Sequence, residues 1–364
     1  MFQRSRHFTP EFKTWDQTDA RQAIAEIATD AISNVDATNL WLAHPMDDHL
    51  PDGNGSLYFG AAGVVWALDY LHRVGAITGE YDLAPLLVTA LERNAPWFAA
   101  TRYSRHASLL MGELGILLVQ MGVAPDQGLA DGIYTLLASN TELPIVELMW
   151  GLPGCMLSCL HMHAMTNDER FARLFQLQAA RLLADLEKDD NGPIWTQELY
   201  GRRQRWLGPV HGFTGNMAPL LQGWDWLSEE QRATIADSAQ RTLAAHVVCS
   251  ELGCNWPSVV PSSQPPAACQ YCHGAPGIVT TFADARFSSP DFDNLLLRGG
   301  ELTWNAGPLV KGSGLCHGTG GNGYALLKLY KRTGDSVWLD RARAFAMAAI
   351  DQVRGARAAF GRGR

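Results

Sequence analysis

The feature that most constrains this chain is a Gly-x-x-Gly pair followed at once by apolar residues, which recurs six times. The pairs are Gly60/Gly63, Gly112/Gly115, Gly151/Gly154, Gly212/Gly215, Gly274/Gly277 and Gly318/Gly321, with first glycines 39 to 62 residues apart. Each interval has room for two helices and their loops, so the spacing reads as a helical-hairpin repeat. Residues three apart share one side of a helix. Two glycines there strip that side bare and let another backbone approach the helix start. Pro153 and Pro276 fall inside their motifs, where proline suits a first helical turn.

The intervening segments carry amphipathic helices. Phe171, Leu174, Phe175, Leu182, Leu183 and Leu186 share one helical face. Ser228 and Gln231 have the spacing of a capping box. No long alternation of apolar and polar residues competes, so the expected class is all-α. Helical hairpins repeated in a ring make an α/α toroid with the motif helices inside, expected here as one domain over residues 1–364. An open superhelical array is the other arrangement such repeats allow. Residues 189–209 and 251–270 break the pattern and read as long loops, a common location for lids and binding segments.

With 364 residues, 47% of them hydrophobic, the chain can bury a large core. A net charge of −8 argues against a sequence-independent grip on nucleic acid, which needs a basic face. Residues 143–165 are apolar but contain Glu147, Pro153 and two histidines, so they read as a buried helix pair rather than a membrane span. The first residues show no signal-peptide pattern, and seven cysteines is an odd number. These point to a cytoplasmic protein without a disulfide framework. Cys155, Cys159, Cys249 and Cys254 read as thiols without a role.

Three of the six pairs are preceded by histidine, at His211, His273 and His317, and two of these by cysteine as well, at Cys272 and Cys316. Two soft thiolates and an imidazole favour zinc. The set Cys272, Cys316 and His317 leaves a fourth position open, the catalytic pattern for that ion. Two rival readings stand beside it. Cys269 to His273 matches the Cys-x-x-Cys-His haem-attachment signature, and Cys269 would also close a four-ligand structural zinc site. His211 occupies the equivalent place in its own repeat and suits general acid/base work. His273 is left with a packing role. Glu147 lies in an apolar run, where a carboxylate is costly without a partner. It would orient an imidazole or pair with a cation.

In this order, the motifs resemble the lanthionine synthetase C-like family. The most specific pieces are Tyr271-Cys-His-Gly-Ala-Pro-Gly277, Lys311-Gly-Ser-Gly-Leu-Cys-His-Gly318 and Gly321-Asn-Gly-Tyr324. They are joined by His211-Gly-Phe-Thr-Gly215 and Glu147-Leu-Met-Trp-Gly-Leu-Pro-Gly154. The resemblance implies a toroid of seven helical hairpins around a catalytic zinc held by Cys272, Cys316 and His317. It makes His211 the acid/base residue and sets Glu147 where bacterial cyclases have aspartate. Lys311 and Arg4 answer to a lysine and an N-terminal arginine of members that use glutathione. A seventh Gly-x-x-Gly is missing, because the chain ends at Gly361-Arg-Gly-Arg364; the seventh hairpin is therefore expected to be truncated.

The implied reaction is zinc-assisted addition of a thiol to dehydroalanine or dehydrobutyrine in a peptide or protein, forming a thioether. Glutathione is the favoured thiol. A peptide cysteine would make the chain a lanthipeptide cyclase. A zinc-stabilised binding protein is a further reading. A glycoside-active toroid lacks the second motif carboxylate it needs.

Overall fold

The computed structural model describes residues 1–46, 52–79, 81–361 and 363. The expectation of a truncated seventh hairpin extends to residues 362 and 364, which lie outside the described residues. Thirteen α-helices and five short strands are present among the described residues. They fall into two compact units, Gln17–Ile145 with Met149–Gln178, and Met1–Asp16 with Val146–Leu148 and Ala179–Arg364.

The first unit contains α1 (Gln17–Ser33), α2 (Ala61–Arg73), α3 (Ala84–Ala99), α4 (Glu113–Val123), α5 (Gln127–Ser139), α6 (Leu152–Thr166) and the start of α7 (Glu169–Ala184). Ala61, Ala62 and Val65 of α2 pack with Leu86, Leu87 and Ala90 of α3 and with Ile116 and Val119 of α4. In α7, Phe171, Leu174, Phe175 and Leu182 are buried, as their helical spacing requires. The apolar run 143–165 is not a helix pair. Its first part forms turns that lead into the single helix α6, because Pro153 can start a helix but not continue one.

The second unit contains the end of α7, then β1 (Gln197–Leu199), β2 (Arg202–Trp206), α8 (Phe213–Gln222), α9 (Glu229–His246), β3 (Val248–Ser250), β4 (Gly253–Asn255), β5 (Val259–Val260), α10 (Ala275–Phe282), α11 (Pro290–Ala306), α12 (Thr319–Thr333) and α13 (Ser336–Phe360). Helix α10 packs against α8, α11 and α12. Fully buried Phe213, Phe282 and Phe292 form a ring ladder with centroids 6.4 and 6.0 Å apart. Burying each such ring contributes roughly 1.5–3 kcal/mol. The capping box is formed: Ser228 Oγ accepts from the Gln231 amide at 3.2 Å, and Gln231 Oε1 accepts from the Ser228 amide at 3.0 Å.

All six first glycines are the N-caps of α2, α4, α6, α8, α10 and α12. The approaching backbone is the chain's own preceding turn, not a neighbouring helix. A Cβ on Gly277 would lie 1.9 Å from the Tyr271 carbonyl oxygen, and one on Gly321 1.8 Å from that of Leu315. The motif therefore folds each entering loop back over the first turn of its helix. This holds the residue just before the motif at the helix mouth.

The two stretches read as irregular loops contain four of the five strands, and β3 lies just before the second stretch. β1, β2 and β5 form an antiparallel sheet, and β3 pairs with β4. Each strand is too short for its alternation to show in the sequence. Cys249 and Cys254 sit directly opposite each other in the β3–β4 register and form a disulfide. They are not the roleless thiols expected; hairpin pairing, invisible in their spacing alone, brings them together.

Candidate metal centre and acid–base pair

Cys272 lies in a tight turn closed by reciprocal backbone bonds between Gln270 and His273, at 3.1 and 3.2 Å. The turn enters α10 through Gly274, whose φ of 102° strains any residue with a side chain. Cys316 and His317 end the loop before α12. The Cys272 amide donates to the Cys316 carbonyl at 3.0 Å and ties the two loops together. The cysteine sulfurs and a His317 ring nitrogen all lie within 4.8 Å of one another. The Cys272 thiol is held far below the ordinary range. A hydrogen bond from Cys316 is the main cause, with burial opposing and His317 assisting.

Cys269 is not part of the cluster. It is 1% exposed, burial pushes its thiol up to about 12, and its hydrogen-bond partner is Thr303. The cysteines of the Cys-x-x-Cys-His signature thus serve different surroundings, as neither haem attachment nor a four-ligand zinc site requires.

His211 lies in the turn before α8. Its Nδ1 is 2.9 Å from Glu147 Oε2, and the Glu147 side chain is fully buried. In the tautomer whose proton is on Nδ1, the ring donates to the carboxylate oxygen and Nε2 is its acceptor. Tyr200, at the β1–β2 turn, meets this ring edge-on, with its hydroxyl 3.5 Å from Nε2. Trp206 links the two parts of the site: its ring centroid is 6.2 Å from that of His211 and 6.0 Å from that of His273, the neighbour of Cys272. His273 thus packs on Trp206, and burial lowers its pKa.

Lys311 lies five residues before Cys316 on the same loop, whose Val310 amide donates to the Arg6 carbonyl at 3.0 Å. Arg4 donates to the carbonyls of Ala306 and Phe8 at 3.1 and 3.2 Å, so part of its guanidinium holds backbone. Three residues near the site had no signal in the sequence. Tyr200 reaches it through a hairpin turn, Gln270 through its bond to Cys272, and Arg6 through its bond to Gln270.

A model of the lanthionine synthetase C-like protein family matches residues 13–361. The chain belongs to that family. It is 46% identical over 266 residues to LanC-like protein GCL1 of Arabidopsis thaliana, covering 67% of this chain and 59% of the relative. It is 28% identical over 213 residues to glutathione S-transferase LANCL1 of Danio rerio, covering 55% of this chain and 50% of the relative. The chain thus spans only about half to three-fifths of the length of these relatives. Among solved structures it resembles nisin cyclase with a TM-score of 0.60 at 14% identity, over 93% of this chain and 88% of the cyclase. That likeness shows the fold, a LanC-like α/α toroid.

Proposed function

We propose that this family member catalyses zinc-dependent addition of a thiol, with glutathione favoured, to dehydroalanine or dehydrobutyrine residues of a peptide or protein. The observation that carries this reading is the Cys272–Cys316–His317 cluster beside the His211–Glu147 pair, with Trp206 and His273 between them. Two thiolates and an imidazole fit zinc, and three ligands leave one position open. Bound zinc supplies Lewis acidity that favours the thiolate form of an incoming thiol.

The chain's own groups handle the proton. His211 Nε2 takes the proton the thiol gives up, while Glu147 stabilises the resulting imidazolium through Nδ1. The sulfur lone pair forms the S–C bond at the β-carbon, and the alkene pair moves to the α-carbon and its carbonyl. His211 then returns its proton to the α-carbon. The thioether so formed contains every atom of both reactants. Glutathione is favoured because one relative is named a glutathione S-transferase. Lys311 and Arg4 supply cations suited to its carboxylates.

The test is a dehydroalanine peptide that also carries a cysteine, incubated with the zinc-loaded protein and glutathione and read by intact mass. A glutathione adduct is expected. Cyclised peptide without an adduct would assign the thiol to the peptide, and unchanged peptide would leave a binding protein. Metal analysis accompanies it: Cys272→Ala loses zinc and Cys269→Ala keeps it.

A further inference from the structure

The cluster has a buried polar neighbour that the proposed reaction does not use. Gln270 is 6% exposed, and its Nε2 lies 2.9 Å from Cys272 Sγ. Its Oε1 accepts a hydrogen bond from Arg6 Nη2. A guanidinium has donors only, so the amide atom it touches must be the oxygen. That settles the amide's orientation, which geometry around the sulfur alone would leave open. The N–H therefore faces the thiolate and is locked there.

Arg6 belongs to a segment fastened on two sides. Towards the Cys272 turn, the Gln3 amide donates to the Ala267 carbonyl at 2.9 Å, and Asn255 Nδ2 donates to the Met1 carbonyl at 2.6 Å. Towards the loop carrying Cys316 and His317, the Phe8 amide donates to the Pro308 carbonyl at 2.8 Å. The Val310 amide donates to the Arg6 carbonyl at 3.0 Å, and the His7 Nδ1 lies 2.9 Å from the Gly307 oxygen. Residues 1–8 are thus bonded to the approaches of both ligand loops.

We propose that residues 1–8 form a strap that clasps the two ligand loops and, through Arg6 and Gln270, delivers a fixed N–H···S hydrogen bond to the Cys272 sulfur. Gln270 and Arg6 are positioning residues, acting through the ligand rather than on the substrate. The bond draws charge from the Cys272 thiolate, which lowers its donation to the metal and keeps the metal a stronger Lewis acid. It also opposes rotation of Cys272 away from the cluster. Hydrogen bonds of this kind orient ligands and tune the metal they hold.

The inference rests on the reading of the cluster as a metal site, and cobalt(II) separates the two. The cobalt-substituted protein is titrated while its sulfur-to-cobalt charge-transfer absorption is followed. Gln270→Glu keeps an oxygen for Arg6, and so keeps the strap docked, but removes the N–H donor. Arg6→Met frees the amide, and Arg6→Lys retains one donor to it. Lys13→Ala cuts the exposed Lys13–Asp351 ion pair near the strap and serves as the control.

Gln270→Glu and Arg6→Met are expected to move the band to lower energy, as the thiolate donates more, and to weaken cobalt binding about 10–100-fold, because Cys272 is no longer held towards the cluster and that loss outweighs the gain in donation. Arg6→Lys should recover much of both, and Lys13→Ala should change neither. An unmoved band in Gln270→Glu with cobalt fully bound and unchanged thermal unfolding would overturn the strap's electronic role. Absence of any sulfur-to-cobalt band in the unsubstituted protein would overturn the metal reading itself, and this inference with it.

Discussion

Glu147→Gln isolates what the buried carboxylate does for His211. The amide oxygen can still accept from Nδ1, so ring placement survives while the charge is lost. The bond in question is 2.9 Å long, with a fully buried acceptor and a histidine side chain only 16% exposed. A hydrogen bond to a charged group contributes about 1.5–3 kcal/mol. It acts most strongly when the imidazolium has formed, so most of that energy is lost from the barrier. The rate constant should fall about ten- to a hundred-fold, at 1.36 kcal/mol per factor of ten. The assay is single-turnover formation of the glutathione adduct by zinc-saturated protein, with metal content measured on the same sample. His211→Ala should cost more. The double variant should lose less than the sum of the two single losses, because Glu147 acts on the transferred proton through the ring. Unchanged turnover in Glu147→Gln, or fully additive losses in the double variant, would refute the pairing.

Three further outcomes follow from the geometry. Cys249→Ser should lower stability by about 2 kcal/mol under oxidising conditions, from the short loop the disulfide closes, and by little under reducing ones; chemical denaturation checks it. Burial, with Arg4 and Arg6 assisting, holds the His7 pKa below 6.5 against the bond to Gly307, so the unfolded chain takes up the proton first. The resulting stability is complete above pH 6.5 and is lost as pH falls towards the folded pKa, by up to about 1.4 kcal/mol per pH unit; His7→Phe should flatten that slope in denaturation curves. Gly277→Ala sets a Cβ 1.9 Å from the Tyr271 carbonyl, so the turn carrying Cys272 must move; about 1–3 kcal/mol of stability and most of the zinc should go, as thermal unfolding and metal analysis would show.

The helical repeat was legible because glycine at a helix entrance is a local requirement. Each of the six pairs marks the N-cap of an α-helix without any knowledge of distant contacts. Cys272, Cys316 and His317 could be named because equivalent repeat positions come to equivalent places, and the structure does bring those three together. Glu147 could be suspected, since an acid in an apolar run needs a partner, and the partner turned out to be His211. What escaped depends on contacts between residues far apart in sequence. The Cys249–Cys254 bridge needs a hairpin whose strands are three residues each. The bond from Arg6 to Gln270 spans 264 positions, and neither residue has a distinctive pattern around it. Lys311 and Arg4 carried the glutathione expectation, whereas Arg6, which is joined to the cluster through Gln270, had no role assigned to it from the sequence.

The central claim is an open three-ligand zinc site that takes up a substrate thiol, and zinc X-ray absorption of the loaded protein tests it most directly. The account predicts two sulfur ligands, from Cys272 and Cys316, with His317 nitrogen and one further light atom. Adding glutathione should bring in one more sulfur. Three sulfurs before glutathione is added, or a ligand set unchanged by it, would contradict the account.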